Sequence, residues 1–204
     1  GVVTGTTKQL SLSIQNTGNQ TLTFSAPTLP AAPYSVSGLP ASGATLAAGA
    51  SVTATVTFAP RAAGMFSASL VINSNGGNAT IALTGTAGSP PVMVISPTSL
   101  DFGTIPVGST KSLSFTISNT GGTDLSIPIT KNPAAPFAAA TVLSEGDSIP
   151  AGQSRTETVT FSPTATGTFT GAWEITGSDD PTNRKSVTLT GTASAAATVL
   201  PRTG

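Results

Sequence analysis

The sequence holds neither histidine nor cysteine. Imidazole bases, thiolate nucleophiles and thiolate zinc sites are therefore excluded, and any catalysis would fall to carboxylates or to a Ser–Lys pair. All eight acidic residues, Asp101, Asp124, Glu145, Asp147, Glu157, Glu174, Asp179 and Asp180, lie beyond residue 100, and neither a carboxylate pair nor a Ser–Lys constellation stands out. Lys8 and Lys111 occupy equivalent places at the start of a strand and could in principle form a cross-link to asparagine. Residues 1–88, around Lys8, have no carboxylate side chain to catalyse that bond. Asp179, Asp180 and Asn183 offer closely spaced hard oxygens of the kind calcium takes, but Asp, Asn and Pro are also the residues of a tight connection. Trp173 and Tyr34 could stack on a sugar, although Trp173 falls on the inward side of an alternating strand. No catalytic, cofactor or metal residue is predicted.

Composition narrows the remaining classes. At 204 residues the chain has room for two ordinary domains. Eight basic residues balance eight acidic ones, so there is no electrostatic footprint for nucleic acid or an anionic membrane. No apolar run approaches a membrane span, and Gly1 is not followed by a leader-like segment. Only 8% of residues are charged, against about 25% in typical globular proteins. With abundant Thr, Ser, Ala and Gly, this balance predicts a secreted, extracellular or cell-surface setting.

The elements that would position any site come from an internal repeat. TGTTKQLSLSIQNTGNQTL, Thr4 to Leu22, lies over VGSTKSLSFTISNTGGTDL, Val107 to Leu125, at an offset of 103 residues. The same offset carries Leu46–Phe66 onto Ile149–Phe169, matching Phe58 to Phe161, Pro60 to Pro163 and Gly64 to Gly167. Both copies close on LTGTA, the second after three extra residues around SDDPTNRK, Ser178 to Lys185, which predicts an insertion in a hairpin loop.

Apolar residues alternate along Leu10, Leu12, Ile14, then Val56, Phe58, then Phe66, Ala68, Leu70, Ile72, and again at the matching places of copy two. Period two with Gly, Pro, Asn and Asp between segments reads as half-buried strands. The prediction is all-β: two tandem immunoglobulin-like antiparallel β-sandwich domains. They span residues 1–88 and 89–193, with an extended C-terminal tail over 194–204 and a semi-rigid linker at AGSPPV, Ala87 to Val92.

SLDFGTIPVGSTKSLSFTISNTGGTDLSI, Ser99 to Ile127, with FSPTATGTFTG, Phe161 to Gly171, and LTGTA resembles the abnormal-spindle/hydin class of immunoglobulin-like domain. It is similar, more narrowly, to bacterial choice-of-anchor D surface proteins. The resemblance implies a fold and a secreted setting and no catalytic residues.

Two departures stand out. Copy two opens with a strand, Ile95 to Gly103, while copy one begins at the equivalent of Thr104, so its first strand is missing and an edge is predicted to be open. Formal charge is +2 over residues 1–88, −3 over 89–193, and +1 from Arg202; opposite signs favour head-to-tail contact. The tail suggests a strand donor at Thr198, Val199 and Leu200. Its LPRTG also matches a sortase-like anchoring signal at Leu200, Pro201, Thr203 and Gly204, without the apolar segment and basic tail that natural substrates carry. The expectation is a non-enzymatic structural protein, a stalk or filament subunit, whose partner is itself, head to tail, or a cell-wall or surface polymer. The competing expectation is an adhesin or carbohydrate-binding accessory module.

Overall fold

The computed structural model describes residues 1–196. The tail positions Thr198, Val199, Leu200, Pro201, Thr203 and Gly204 lie outside the described residues. The fold is all-β, with no helix among the described residues, and it divides into two compact units, Gly1–Ser89 and Pro90–Gly204.

The first unit comprises β1 (Val2–Val3), β2 (Lys8–Gln15), β3 (Leu22–Thr23), β4 (Tyr34–Ser37), β5 (Thr45–Leu46), β6 (Ser51–Phe58), β7 (Gly64–Ser74) and β8 (Gly77–Gly88). One sheet runs β2-β6-β4, the other β1-β8-β7, and β3 and β5 form a short ribbon. Their inward residues meet around buried Phe24, Leu70 and Ile72, with Leu12, Ile14, Leu22 and Leu83 only partly buried against them.

The second unit comprises β9 (Met93–Ser96), β10 (Ser99–Pro106), β11 (Lys111–Asn119), β12 (Leu125–Ser126), β13 (Ile129–Lys131), β14 (Phe137–Ala139), β15 (Ser148–Ile149), β16 (Ser154–Phe161), β17 (Gly167–Thr176) and β18 (Lys185–Ser194). Its sheets are β14-β16-β11-β9 and β10-β18-β17-β13. Between them lies a fuller core that includes Leu100, Phe102, Phe115, Ile117, Phe137, Phe161 and Trp173. Trp173 is fully buried and donates its indole N–H to Thr130 Oγ1 at 2.9 Å.

The recurring LTGTA motif has a packing cause. A Cβ on Gly191 would stand 2.7 Å from the Phe161 ring, and one on Gly85 would stand 2.9 Å from Phe58 and from the Tyr34 hydroxyl. Glycine is needed here for space, because the aromatic ring lies flat on the strand.

Residues Ile95–Gly103 do not form the single predicted strand. β9 pairs antiparallel with β11, and β10 pairs parallel with β18, so the opening segment serves one sheet and then the other. Pro97, which has no N–H to give a ladder, stands between the two strands. A bulge between Asp101 and Thr104 follows, where Gly103 has φ +63° and donates to Asp101 Oδ1.

In the first unit β1 is the counterpart of the end of β10. Val2 and Val3 pair with Ala87 and Gly88 in the register that Ile105 and Pro106 keep with Ala193 and Ser194. Ile14 is in consequence half-buried where its counterpart Ile117 is fully buried, and Leu10 is 64% exposed.

The chain has one Trp and one Tyr, placed in different units, so the two can be followed separately. In denaturant, Tyr34 emission should change at a lower midpoint than Trp173 emission. Coincident transitions would contradict the difference in core completeness.

Candidate functional site

The open side of the first unit can be built from what fills the same place in the second. Thr116–Asn119 pair with Ser96–Met93, and Thr188–Thr190 pair with Ser99–Asp101. Their counterparts are Ser13–Asn16, at the end of β2 and one residue past it, and Ala82–Thr84 on β8. Among the described residues, β2 pairs only with β6, and the Ala82–Thr84 stretch of β8 pairs only with β7. Both sheets of the first unit therefore present backbone donors and acceptors along one seam.

Two clefts lie on that seam. One, of about 420 Å³, is lined by Lys8, Leu10, Tyr34, Val56, Phe58 and Leu83 among others. In the second unit the matching space holds Phe102, whose ring lies 5.5 Å from Phe137 and 5.6 Å from Phe161. Phe137 and Phe161 stack at 4.9 Å, as their counterparts Tyr34 and Phe58 do. The other cleft, of about 460 Å³, is lined by Ile14, Asn16, Thr17, Gly18, Phe24 and Ile72 among others. Its counterpart is crossed by Pro90 and Pro91, so close that a Cβ on Gly121 would fall 2.2 Å from the Pro90 carbonyl oxygen; on Gly18 it would meet only Asn16 Oδ1, at 3.3 Å.

The polar groups follow the same logic. Lys111 donates its ammonium to the Phe102 carbonyl at 2.9 Å; Lys8, its counterpart on the cleft wall, has no acceptor among the described residues. Asn119 donates to the Thr123 and Ile149 carbonyls and accepts from the amides of Gly121 and Val92. Asn16 repeats three of these bonds, to Gln20, Leu46 and Gly18, and lacks the fourth. Thr120 donates its amide to the Val92 carbonyl at 2.9 Å, a bond with no counterpart at Thr17 among the described residues.

The other sequence-predicted candidates fall elsewhere. Tyr34 is buried, donates to the Phe66 carbonyl at 3.1 Å, and has its phenol pKa raised by burial, so it and Trp173 are core groups and not a sugar platform. Lys8 and Lys111 begin strands that end at Gln15 and Asn119, which puts Asn16 and Asn119 at the far end from each lysine, and the Lys111 ammonium donates to the Phe102 carbonyl. Asp179, expected on an exposed loop, is drawn inward: its Oδ2 accepts from the Met93 amide at 2.9 Å and from Lys185 Nζ at 3.1 Å, while Lys185 also donates to the Met93 carbonyl. The three-residue insertion thus clips the start of β9. Asp180 Oδ1 instead accepts from the hydroxyl and amide of Thr182, a turn bond, so the two carboxylates do not converge.

Sequence reasoning missed one cluster. Glu157 is fully buried where copy one has Ala54, and it accepts from the Thr141 hydroxyl. Its Oε1 lies 2.5 Å from Arg155 Nε, an ion pair outside hydrogen-bond alignment. Arg155 also pairs with Asp147 at 2.8 Å and donates to the Val142 carbonyl. The only signal was a glutamate at an inward position of an alternating strand. The cluster fastens the segment before β15 onto β16.

Residues 91–187 match the family model for abnormal spindle-like microcephaly-associated, ASPM-SPD-2-Hydin (ASH) domains, and residues 1–86 match that for HYDIN/CFA65/VesB-like Ig-like domains. The chain is an ASH/hydin-type Ig-like repeat protein. Domains of this type are typically non-catalytic. No curated protein matches the chain. Among solved structures, PapD-like domain 7 of human CEP192 is 18% identical, with 52% of this chain and 87% of that one covered at TM-score 0.43. A protein of unknown function from Porphyromonas gingivalis W83 is 16% identical, with 94% of each chain covered at 0.43. The Vibrio cholerae VesB protease is 17% identical, with 50% of this chain and 31% of that one covered at 0.38.

Three carboxylates of the second repeat are held below their ordinary range. The Ser144 amide, with Arg155, lowers Asp147; the Arg184 hydrogen bond, with Lys131, lowers Glu174; and the Thr182 hydroxyl lowers Asp180. The unfolded chain binds more protons than the folded one once pH falls into the carboxylate range, so this stabilisation is complete at neutral pH and is lost on acidification through that range. The first repeat has no carboxylate side chain. Lowering pH from 7 to about 3 should therefore reduce the Trp173 unfolding midpoint while leaving the Tyr34 midpoint nearly unchanged.

Proposed function

We propose that the chain is a non-catalytic, extracellular structural module, a stalk or filament component, whose first repeat is completed by an extended strand along the seam between β2 and β8. The seam itself supports this reading: two sheet edges and two clefts in the first repeat, one walled largely by apolar side chains and one mainly by polar residues and glycines, stand where the second repeat holds its own opening strands. Strand addition pairs backbone groups that a sandwich otherwise leaves to solvent, and alternate side chains enter the core. The low charge and Thr/Ser-rich surface support the extracellular setting. Head-to-tail joining follows if the added strand comes off a neighbour's last strand, as β9 follows β8 in this chain. A sugar-binding role is disfavoured because Trp173 and Tyr34 are both in the core.

Amide exchange tests the reading. Addition of a peptide of residues 92–104 to the full chain should protect the amides of 13–16 and 82–84 and raise the Tyr34 unfolding midpoint. Unchanged exchange at those edges under millimolar peptide would overturn it.

A further inference from the structure

The first repeat holds five asparagines, and they fall into two kinds. Three are engaged: Asn16 is buried and bonds to Gln20, Leu46 and Gly18, Asn73 donates to the Ala26 carbonyl at 2.7 Å, and Asn75 accepts from the Thr23 amide at 2.9 Å. None of the three has a Ser or Thr two places later. The other two, Asn19 and Asn78, are exposed, and their side chains have no hydrogen-bond partner among the described residues. Each opens an Asn-x-Thr triplet free of proline, Asn19-Gln20-Thr21 and Asn78-Ala79-Thr80. The second repeat has no such triplet.

The fold turns both triplets outward. Asn16 holds the loop after β2 from within, accepting from the Gly18 amide at 3.1 Å and donating to the Gln20 carbonyl at 2.8 Å, so Asn19 between them faces solvent. Asn78 stands near the start of β8, where Ile81 and Leu83 take the half-buried places. Alternation along the strand therefore sets Asn78 and Thr80 side by side on the outer face.

At the matching places the second repeat carries charge. Asp124 stands where the first repeat has Thr21, and Arg184, paired with Glu174 at 2.8 Å, stands where it has Asn78. The first repeat has only Lys8 and Arg61 as charged side chains, which protects its surface poorly against association.

We propose that Asn19 and Asn78 are N-glycosylated, and that the two sugars do for the first repeat what charge does for the second. This rests on the extracellular setting proposed above, which takes the chain through a glycosylating compartment. Asparagine with Thr two places on is the acceptor pattern for N-linked sugar, a bulky and solubilising group of surfaces. The donor is a sugar activated at its anomeric carbon by a diphosphate. The Asn carboxamide nitrogen bonds to that carbon, the bond from the carbon to the diphosphate oxygen breaks, and one amide proton passes to the departing diphosphate. Triplet and exposure select the same two residues: Asn73 and Asn75, on the same hairpin as Asn78, meet neither the triplet nor the free side chain.

Peptide mass spectrometry of the full chain recovered from its native cells tests this. Peptides holding Asn19 and Asn78 should carry sugar that peptide N-glycanase removes, leaving aspartate at those two positions, while Asn16, Asn73 and Asn75 stay bare. Thr21→Ala and Thr80→Ala, which take away only exposed hydroxyls, should abolish the sugar at Asn19 and Asn78 respectively. The double variant, with Tyr34 reporting a folded first repeat, should show a larger mass by light scattering than the glycosylated protein at the same concentration. An unchanged mass after loss of both sugars would overturn the solubilising role. Bare Asn19 and Asn78 in protein taken from the cell surface overturn the glycosylation and leave the extracellular reading standing. A chain found only inside cells, with both asparagines bare, overturns both.

Discussion

A β-sandwich is closed by the strand that bonds to both of its sheets, and in the second repeat that duty falls to the opening segment. In the second repeat β9 completes the ladder on β11, the chain turns at Pro97, and β10 completes the ladder on β18. Four apolar side chains from this one segment reach the core. Where the segment is present, Ile117 and Leu189 are sealed; where it is not, Ile14 and Leu83 stay half-covered. The same residue types thus have different burial for a reason lying outside their own strands.

The charged residues follow that division of labour. Carboxylates in the second repeat occupy positions that fasten something: Asp179 holds the start of β9, Asp101 caps the bulge in β10, and Glu157 with Arg155 and Asp147 fastens a loop to β16. The first repeat has no acidic side chain and no comparable fastening. Lys8 is kept in the place of Lys111 although the carbonyl that occupies Lys111 has no equivalent beside it.

Much of the fold could be read from the chain. The 103-residue offset, the alternation of Leu113, Phe115 and Ile117, and the LTGTA closure all reflect strands burying one face, which is a local pattern. The missing opening strand was legible because one copy could be laid on the other. What escaped was non-local. Nothing in ISPTSLDFG marks that its two halves belong to different sheets, because both halves alternate alike and Pro97 reads equally well as an edge residue. Asp179 looked like a loop residue because Asp-Asp-Pro is a turn composition, and its bond to Met93 spans 86 positions of sequence. Glu157 was passed over because a carboxylate at an inward position is rarely buried without a partner, and its partners come from a loop of no recognisable pattern.

The parallel pairing of first and last strands has a mechanical meaning. When a unit is pulled by its ends, the strand at each end is drawn in opposite directions along the other, so the bonds of a parallel first–last pair resist together in shear and do not open one after another. The second repeat has six such residue pairs between β10 and β18, whereas the first has two, Val2 with Ala87 and Val3 with Gly88. Among the described residues the first repeat therefore has the shorter shearing pair, and a strand laid along Ala82–Thr84 would lengthen it, raising the load at which that repeat opens.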